Sequence, residues 1–132
     1  MMVLIDASAL VAMATGEPDV DNLLDRLDGF NDRLCCAIGL WEAALAIARR
    51  RETSVAEGRR ELGSLVADLD IRTVSIGPDE GEIALNAFGR YGKGTGHRAQ
   101  LNMGDCFAYA CAKTNDAALL YKGEDFAHTD LA

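Results

Sequence analysis

The sequence predicts an α/β fold in which a mostly parallel sheet is covered by helices on both faces. Short apolar runs suited to buried strands alternate with longer segments of helical periodicity. Strands that alternate with helices imply right-handed crossovers and parallel pairing. No internal repeat or low-complexity segment interrupts the alternation, and 49% hydrophobic against 26% charged residues is the balance of an ordinary globular chain. At 132 residues, one domain spanning 1–132 with a sizeable core is expected.

Met2 to Ile5 reads as a buried strand cut short by Asp6, followed by a helix from about Ser8 to Ala14. Gly16, Glu17 and Pro18 break the chain. A second helix from about Asp19 places Val20, Leu23, Leu24 and Leu27 on one face. Leu34 to Ile38 is the next strand, and a helix through Trp41, Leu45 and Ile47 ends near the Arg49, Arg50, Arg51 run. Residues 55–69 form a helix with Leu62, Leu65, Val66 and Leu69 inward. Ile71 to Ile76 is a third strand, and Gly77, Pro78 and Asp79 open a helix that ends in the glycine-rich stretch 89–96. Gly104 to about Asn115 is helical, Ala117 to Tyr121 is a strand, and a short final strand is expected near Thr129, Asp130 and Leu131.

The net charge of −8 argues against broad coating of nucleic acid, which needs positive surface to displace counterions. It is compatible with an enzyme that handles a polyanion through bound metal and a local basic patch. The charge is uneven. Residues 17–32 hold six acids against one Arg, whereas no acid occurs between Glu82 and Asp105, an interval carrying Arg90, Lys93, His97 and Arg98. Those four are the candidate RNA contacts, on a loop whose plain alternative is a solvated linker. Tyr91 offers a ring on which a base could stack. The arginine run at 49–51 reads as cations favoured at a helix C-terminus, and Trp41 as core or dimer interface rather than a base platform.

Four cysteines without metal-finger spacing read as reduced, buried thiols. No apolar run approaches the ~20 residues of a membrane span, and the N-terminus lacks a signal-peptide pattern. The expected setting is cytoplasmic.

In parallel α/β folds ligands gather at the carboxyl ends of the strands. Asp6 follows the first strand, Glu42 lies in the first turn of the helix after the second, Asp105 opens the helix before the last main strand, and Asp125 lies just beyond that strand. Like charges at one sheet edge resist joint ionisation, and a hard divalent cation with oxygen ligands relieves the conflict. Each acid also has a plain role: Asp6 as N-cap, Asp105 in a capping box with Asn102, Glu42 as complement to a helix dipole, Asp125 as turn residue.

Three segments carry a family resemblance. Val3 to Leu10 (VLIDASAL) resembles the opening motif of PIN-domain nucleases. Leu101 to Ala110 (LNMGDCFAYA) resembles their third acidic motif, and Leu119 to Phe126 (LLYKGEDF) is similar to the closing one. The match spans nearly the whole chain and is most like the VapC toxins of bacterial toxin–antitoxin pairs. It implies a three-layer sandwich with a central parallel sheet, and a magnesium-dependent endoribonuclease for which Mn²⁺ also fits. It further implies a toxin restrained by a cognate antitoxin, as a homodimer and in a larger assembly. By the same match the catalytic positions are Asp6, Glu42, Asp105 and Asp125, with Asp6 and Asp105 holding the metal. Ser8 would orient Asp6 or a metal-bound water. The closing motif departs from the common form at Tyr121 and Lys122, so Glu124 and Asp130 share candidacy with Asp125.

Two other classes fit the architecture. A phosphoryl-accepting domain would use Asp6 as nucleophile or metal ligand and Lys122 as its cation. However, Ile76, Gly77 and Pro78 supply no acceptor Asp, and Asp6, Ala7, Ser8 lacks the second acid of D-x-D. A non-catalytic module would receive a basic partner on its acidic surface.

Overall fold

The computed structural model describes all 132 residues. Strands β1 (Met2–Ile5), β2 (Asp32–Cys36), β3 (Ile71–Val74) and β4 (Ala118–Leu120) form one sheet in the order β3-β2-β1-β4, with every pairing parallel. Helices α1 (Ala7–Thr15), α2 (Val20–Asp28), α3 (Ala37–Arg51) and α4 (Val55–Asp68) lie in the connections from β1 to β3. Helices α5 (Pro78–Tyr91) and α6 (Met103–Thr114) lie between β3 and β4.

Alternation along the strands divides the core into two layers. Val3, Ile5, Cys35 and Leu120 pack with Leu10, Leu23, Leu27, Ile47 and Leu62 of α1 to α4. Leu4, Leu34, Cys36 and Leu119 face the other way, onto Ala84, Tyr91, Ala108 and Tyr109 of α5 and α6. The result is the three-layer sandwich. Large side chains such as Leu10, Ile47 and Leu27, at most 1% exposed, each stabilise it by roughly 1.5–3 kcal/mol. All four cysteines are buried and unbridged.

Three local expectations need correction. The second strand stops at Cys36, whose extended backbone is also the N-cap of α3, so Ala37 and Ile38 are helical. Glu42 therefore sits beyond the first turn of α3, where the helix dipole has little hold on it. No strand forms near residues 129–131. Instead Asp125–His128 makes a 3-10 turn that buries Phe126 to 1%, and Thr129 Oγ1 donates to the Phe126 carbonyl at 2.8 Å. Closing that turn satisfies the backbone locally.

The sheet order reverses at β1, which has β2 on one side and β4 on the other. The crevice between the carboxyl ends of β1 and β4 is thus the topological switch point. The Asp6 amide donates to the Leu120 carbonyl at 2.9 Å across it.

Where α4 crosses α3 there is no room for a side chain at Gly58. An added Cβ would stand 2.5 Å from the Ala44 carbonyl oxygen and 2.8 Å from the Ala48 Cβ. Helix propensity alone favours alanine over glycine by ~1 kcal/mol. The clash is with backbone and outweighs it. Gly58→Ala is expected to lower unfolding stability by about 1–3 kcal/mol in urea titration; an unchanged or raised midpoint would refute the close crossing.

Candidate active site

The carboxylates meet at that switch point. Asp6, Glu42, Asp105 and Asp125 line one open cleft of about 670 Å³, together with Ser8, Glu17, Asn102 and Lys122. Asp6 and Asp105 are the only charged residues among the buried set, at 5% and 8% exposure. Their plain and chemical roles coincide. Asp6 is the N-cap of α1: the amide and hydroxyl of Ser8 donate to its Oδ2 at 3.0 and 2.6 Å. Ser8 Oγ in turn accepts the Lys122 amide proton at 3.0 Å, which ties the end of β4 to the cap. Asp105 forms the capping box of α6, its Oδ2 accepting from the Asn102 amide at 3.0 Å while its own amide donates to Asn102 Oδ1 at 2.8 Å.

Glu42 reaches the cleft from α3 and lies against Gly104. A Cβ at position 104 would fall inside the Glu42 carboxyl group, so only glycine leaves the acid its place beside Asp105. Asp125 opens the 3-10 turn on the exposed rim. Of the two acids that shared its candidacy, Glu124 does not line the cleft, and Asp130 accepts from Tyr109 Oη at 2.7 Å and pairs with Lys113.

Repulsion and burial act together on the protonation states. Burial pushes the Asp105 carboxyl up to about 7, aided by the charges of Asp6, Asp125 and Glu42 and opposed by the Asn102 amide. Burial also raises Asp6, with Asp125 adding to the shift and the Ser8 hydrogen bonds opposing it. Glu42 is raised by burial and by Asp6. An all-oxygen, mutually repelling set of this kind suits a hard dication. As placed, no three His, Cys, Asp or Glu side chains stand close enough together to hold an ion among them.

The four candidate RNA contacts of the acid-free interval do not line the cleft. Arg90 belongs to α5 and its guanidinium lies over the Tyr91 ring, 4.9 Å from the centroid. Lys93 and Arg98 are exposed elsewhere. His97 Nδ1 accepts from the Ala99 amide at 3.0 Å, and its ring meets Tyr91 edge-on. The loop is closed at its base by Lys93 N to Leu101 O and Leu101 N to Tyr91 O, both 2.9 Å. The cations in the cleft are Arg49, Arg50 and Lys122. Arg50 and Lys122 both donate to Glu17, which is held below the usual carboxylate range by those two bonds, Lys122 first. Sequence reading passed over this cluster because its members come from three separate segments. Trp41, expected in the core or a dimer interface, is not in the core of the chain: it is 64% exposed on the cleft wall.

The Asp105 shift has a definite sign. Between about pH 4 and pH 7 an unfolded Asp is ionised while the folded one keeps its proton, so the folded state binds more protons and stability falls as pH rises. Without divalent cations the melting temperature should therefore drop over that window, Asp105 contributing at most about 4 kcal/mol. Asp105→Asn should melt above wild type at about pH 8 and below that advantage at about pH 5. Equal differences at both pH values would show that Asp105 ionises normally.

The PIN domain family model matches residues 3–131. A VapC ribonuclease of Rhizobium meliloti is 38% identical over 141 residues, covering 98% of this chain and 99% of that protein. Ribonuclease VapC30 of Mycobacterium tuberculosis is 41% identical over 128 residues, covering 97% and 95%. Among solved structures, Mycobacterium tuberculosis VapC20, described as a Sarcin-Ricin loop cleaving toxin, superposes with a TM-score of 0.71 at 14% identity, over 95% of this chain and 92% of that one. The chain belongs to the PIN domain family and, within it, to the VapC ribonucleases.

Proposed function

We propose that this protein is a divalent-metal-dependent endoribonuclease, with Mg²⁺ or Mn²⁺ as cofactor, acting as the toxin of a toxin–antitoxin pair in the cytoplasm. The observation that carries the reading is the meeting of Asp6, Glu42, Asp105 and Asp125, from four separate segments, in one cleft at the switch point. The matched relatives named as ribonucleases support it at nearly full length.

Asp6 and Asp105 would hold the cation, with Glu42 and Asp125 completing the acidic wall. A dication held there supplies Lewis-acid activation of water and offsets charge on the phosphate. The protein's own work is positional. Ser8 fixes Asp6 through two hydrogen bonds to one oxygen, and the Asn102 box fixes Asp105. Gly104 leaves Glu42 its place. No helix is long and apolar enough to cross a membrane. The cognate antitoxin is proposed as a small protein with a basic segment, because an Arg side chain is the natural competitor for a cluster of carboxylates. A homodimer and a larger toxin–antitoxin assembly belong to the same proposal.

Asp6→Asn and Asp105→Asn should each reduce RNA cleavage at least ~100-fold, the scale of losing a metal ligand. Chelation should abolish cleavage, and Mg²⁺ or Mn²⁺ should restore it. Gly104→Ala should reduce cleavage by displacing Glu42, while circular dichroism stays native. Full activity in both Asn variants would remove these acids from the mechanism.

A further inference from the structure

One face of α3 runs along the cleft. Trp41, Leu45 and Arg49 recur at intervals of four residues, and all three line the same cavity as the acids. Glu42, which touches the Gly104 position beside Asp105, immediately follows Trp41 in the helix. At a rise of ~1.5 Å per residue, Trp41 and Arg49 stand ~12 Å apart along the axis. Lys122 lines the cleft as well, and Glu17 holds it together with Arg50.

We infer that α3 is the substrate track: Trp41 stacks on a nucleobase next to the cleaved phosphate, and Arg49 with Lys122 grips the backbone beyond it. This rests on the ribonuclease reading and assigns residues to its substrate. An indole 64% exposed beside buried carboxylates is otherwise a cost in solvation. Base stacking uses its ring without needing a particular base. The cations answer the opposite difficulty. In a protein of net charge −8 a polyanion meets general repulsion; Arg49 lines the cleft without an acid partner, and Lys122, paired with Glu17 and Asp19, would exchange those carboxylates for a phosphate. Glu17 is a positioning residue that keeps Arg50 and Lys122 at the rim. Trp41 also borders an apolar groove between α3 and α4, with Leu40, Ala44 and Val66. A protein segment in that groove is the competing occupant. It would cover Trp41 and Leu45 and leave Arg49, at the C-terminal end of the helix, in the cleft.

Trp41 is the sole tryptophan, so its emission reports on this position alone. The protein carrying Asp105→Asn, which spares the RNA, is titrated in Mg²⁺ with end-labelled oligoadenylate and with an abasic oligomer of equal length. Saturable quenching is expected with oligoadenylate, and the abasic oligomer should bind about tenfold more weakly. Trp41→Ala should weaken oligoadenylate binding roughly 5- to 100-fold, with Trp41→Phe restoring most of it. Arg49→Gln and Lys122→Gln should each lower the slope of log K against log salt by about 0.7. Binding with unchanged emission and equal affinity for the abasic oligomer overturns the role of Trp41 while leaving the ribonuclease reading intact. Unchanged salt slopes overturn the roles of Arg49 and Lys122. A wild-type protein that neither binds nor cleaves RNA overturns both readings.

Discussion

Two carboxylates almost withdrawn from water, Asp6 and Asp105, set the conditions for everything around them. Burying a charge is costly unless something compensates for it. Here the compensation comes from the ends of helices. Asp6 terminates β1 and caps α1, and Asp105 closes the capping box of α6, so each acid satisfies backbone donors that would otherwise lack partners. The same hydrogen bonds that stabilise the fold hold the two acids in place. They do not cancel the cost of burial, which raises the Asp105 carboxyl, with the charges of Asp6, Asp125 and Glu42 adding to it. A site left in that condition favours a dication.

The remaining acids differ in kind. Glu42 depends on an absent side chain at position 104, and Asp125 depends on a short turn anchored by the buried Phe126. Two members of the cluster are therefore built into helix caps, and two are placed by packing. The second pair is the more adjustable, because exposed or half-buried acids move at less cost than a cap.

Around this negative centre the protein arranges a few cations economically. Glu17, in the break between α1 and α2, joins Arg50 of α3 to Lys122 after β4. Exposed ion pairs contribute little to stability, so this bridge matters for where it holds charge. Net negative charge limits indiscriminate contact with nucleic acid, and Arg49, Arg50 and Lys122 offset part of the acidic lining of the cleft.

How much of this was legible beforehand follows from the range of the forces involved. Strand and helix order, and the acids at strand ends, follow from local periodicity and junction chemistry, which neighbours in the chain dictate. Asp6 after Ile5 and Asp105 three residues past Asn102 are local facts of that sort. The errors lay at boundaries, such as Ala37 and Ile38, and in the last residues, where burial of Phe126 overrode a short strand-like pattern. The two sets of cations differ for another reason. Arg90, Lys93 and Arg98 cluster along the chain but not around the cleft, whereas Arg49, Arg50 and Lys122 gather there only after β4 pairs with β1 and α3 packs beside them. By itself the sequence determined the fold class and the central pair of acids, since both depend on short-range chemistry. Only tertiary structure decided which charges face one another and that Trp41 stands open to the cleft, because those depend on contacts between segments far apart in the chain.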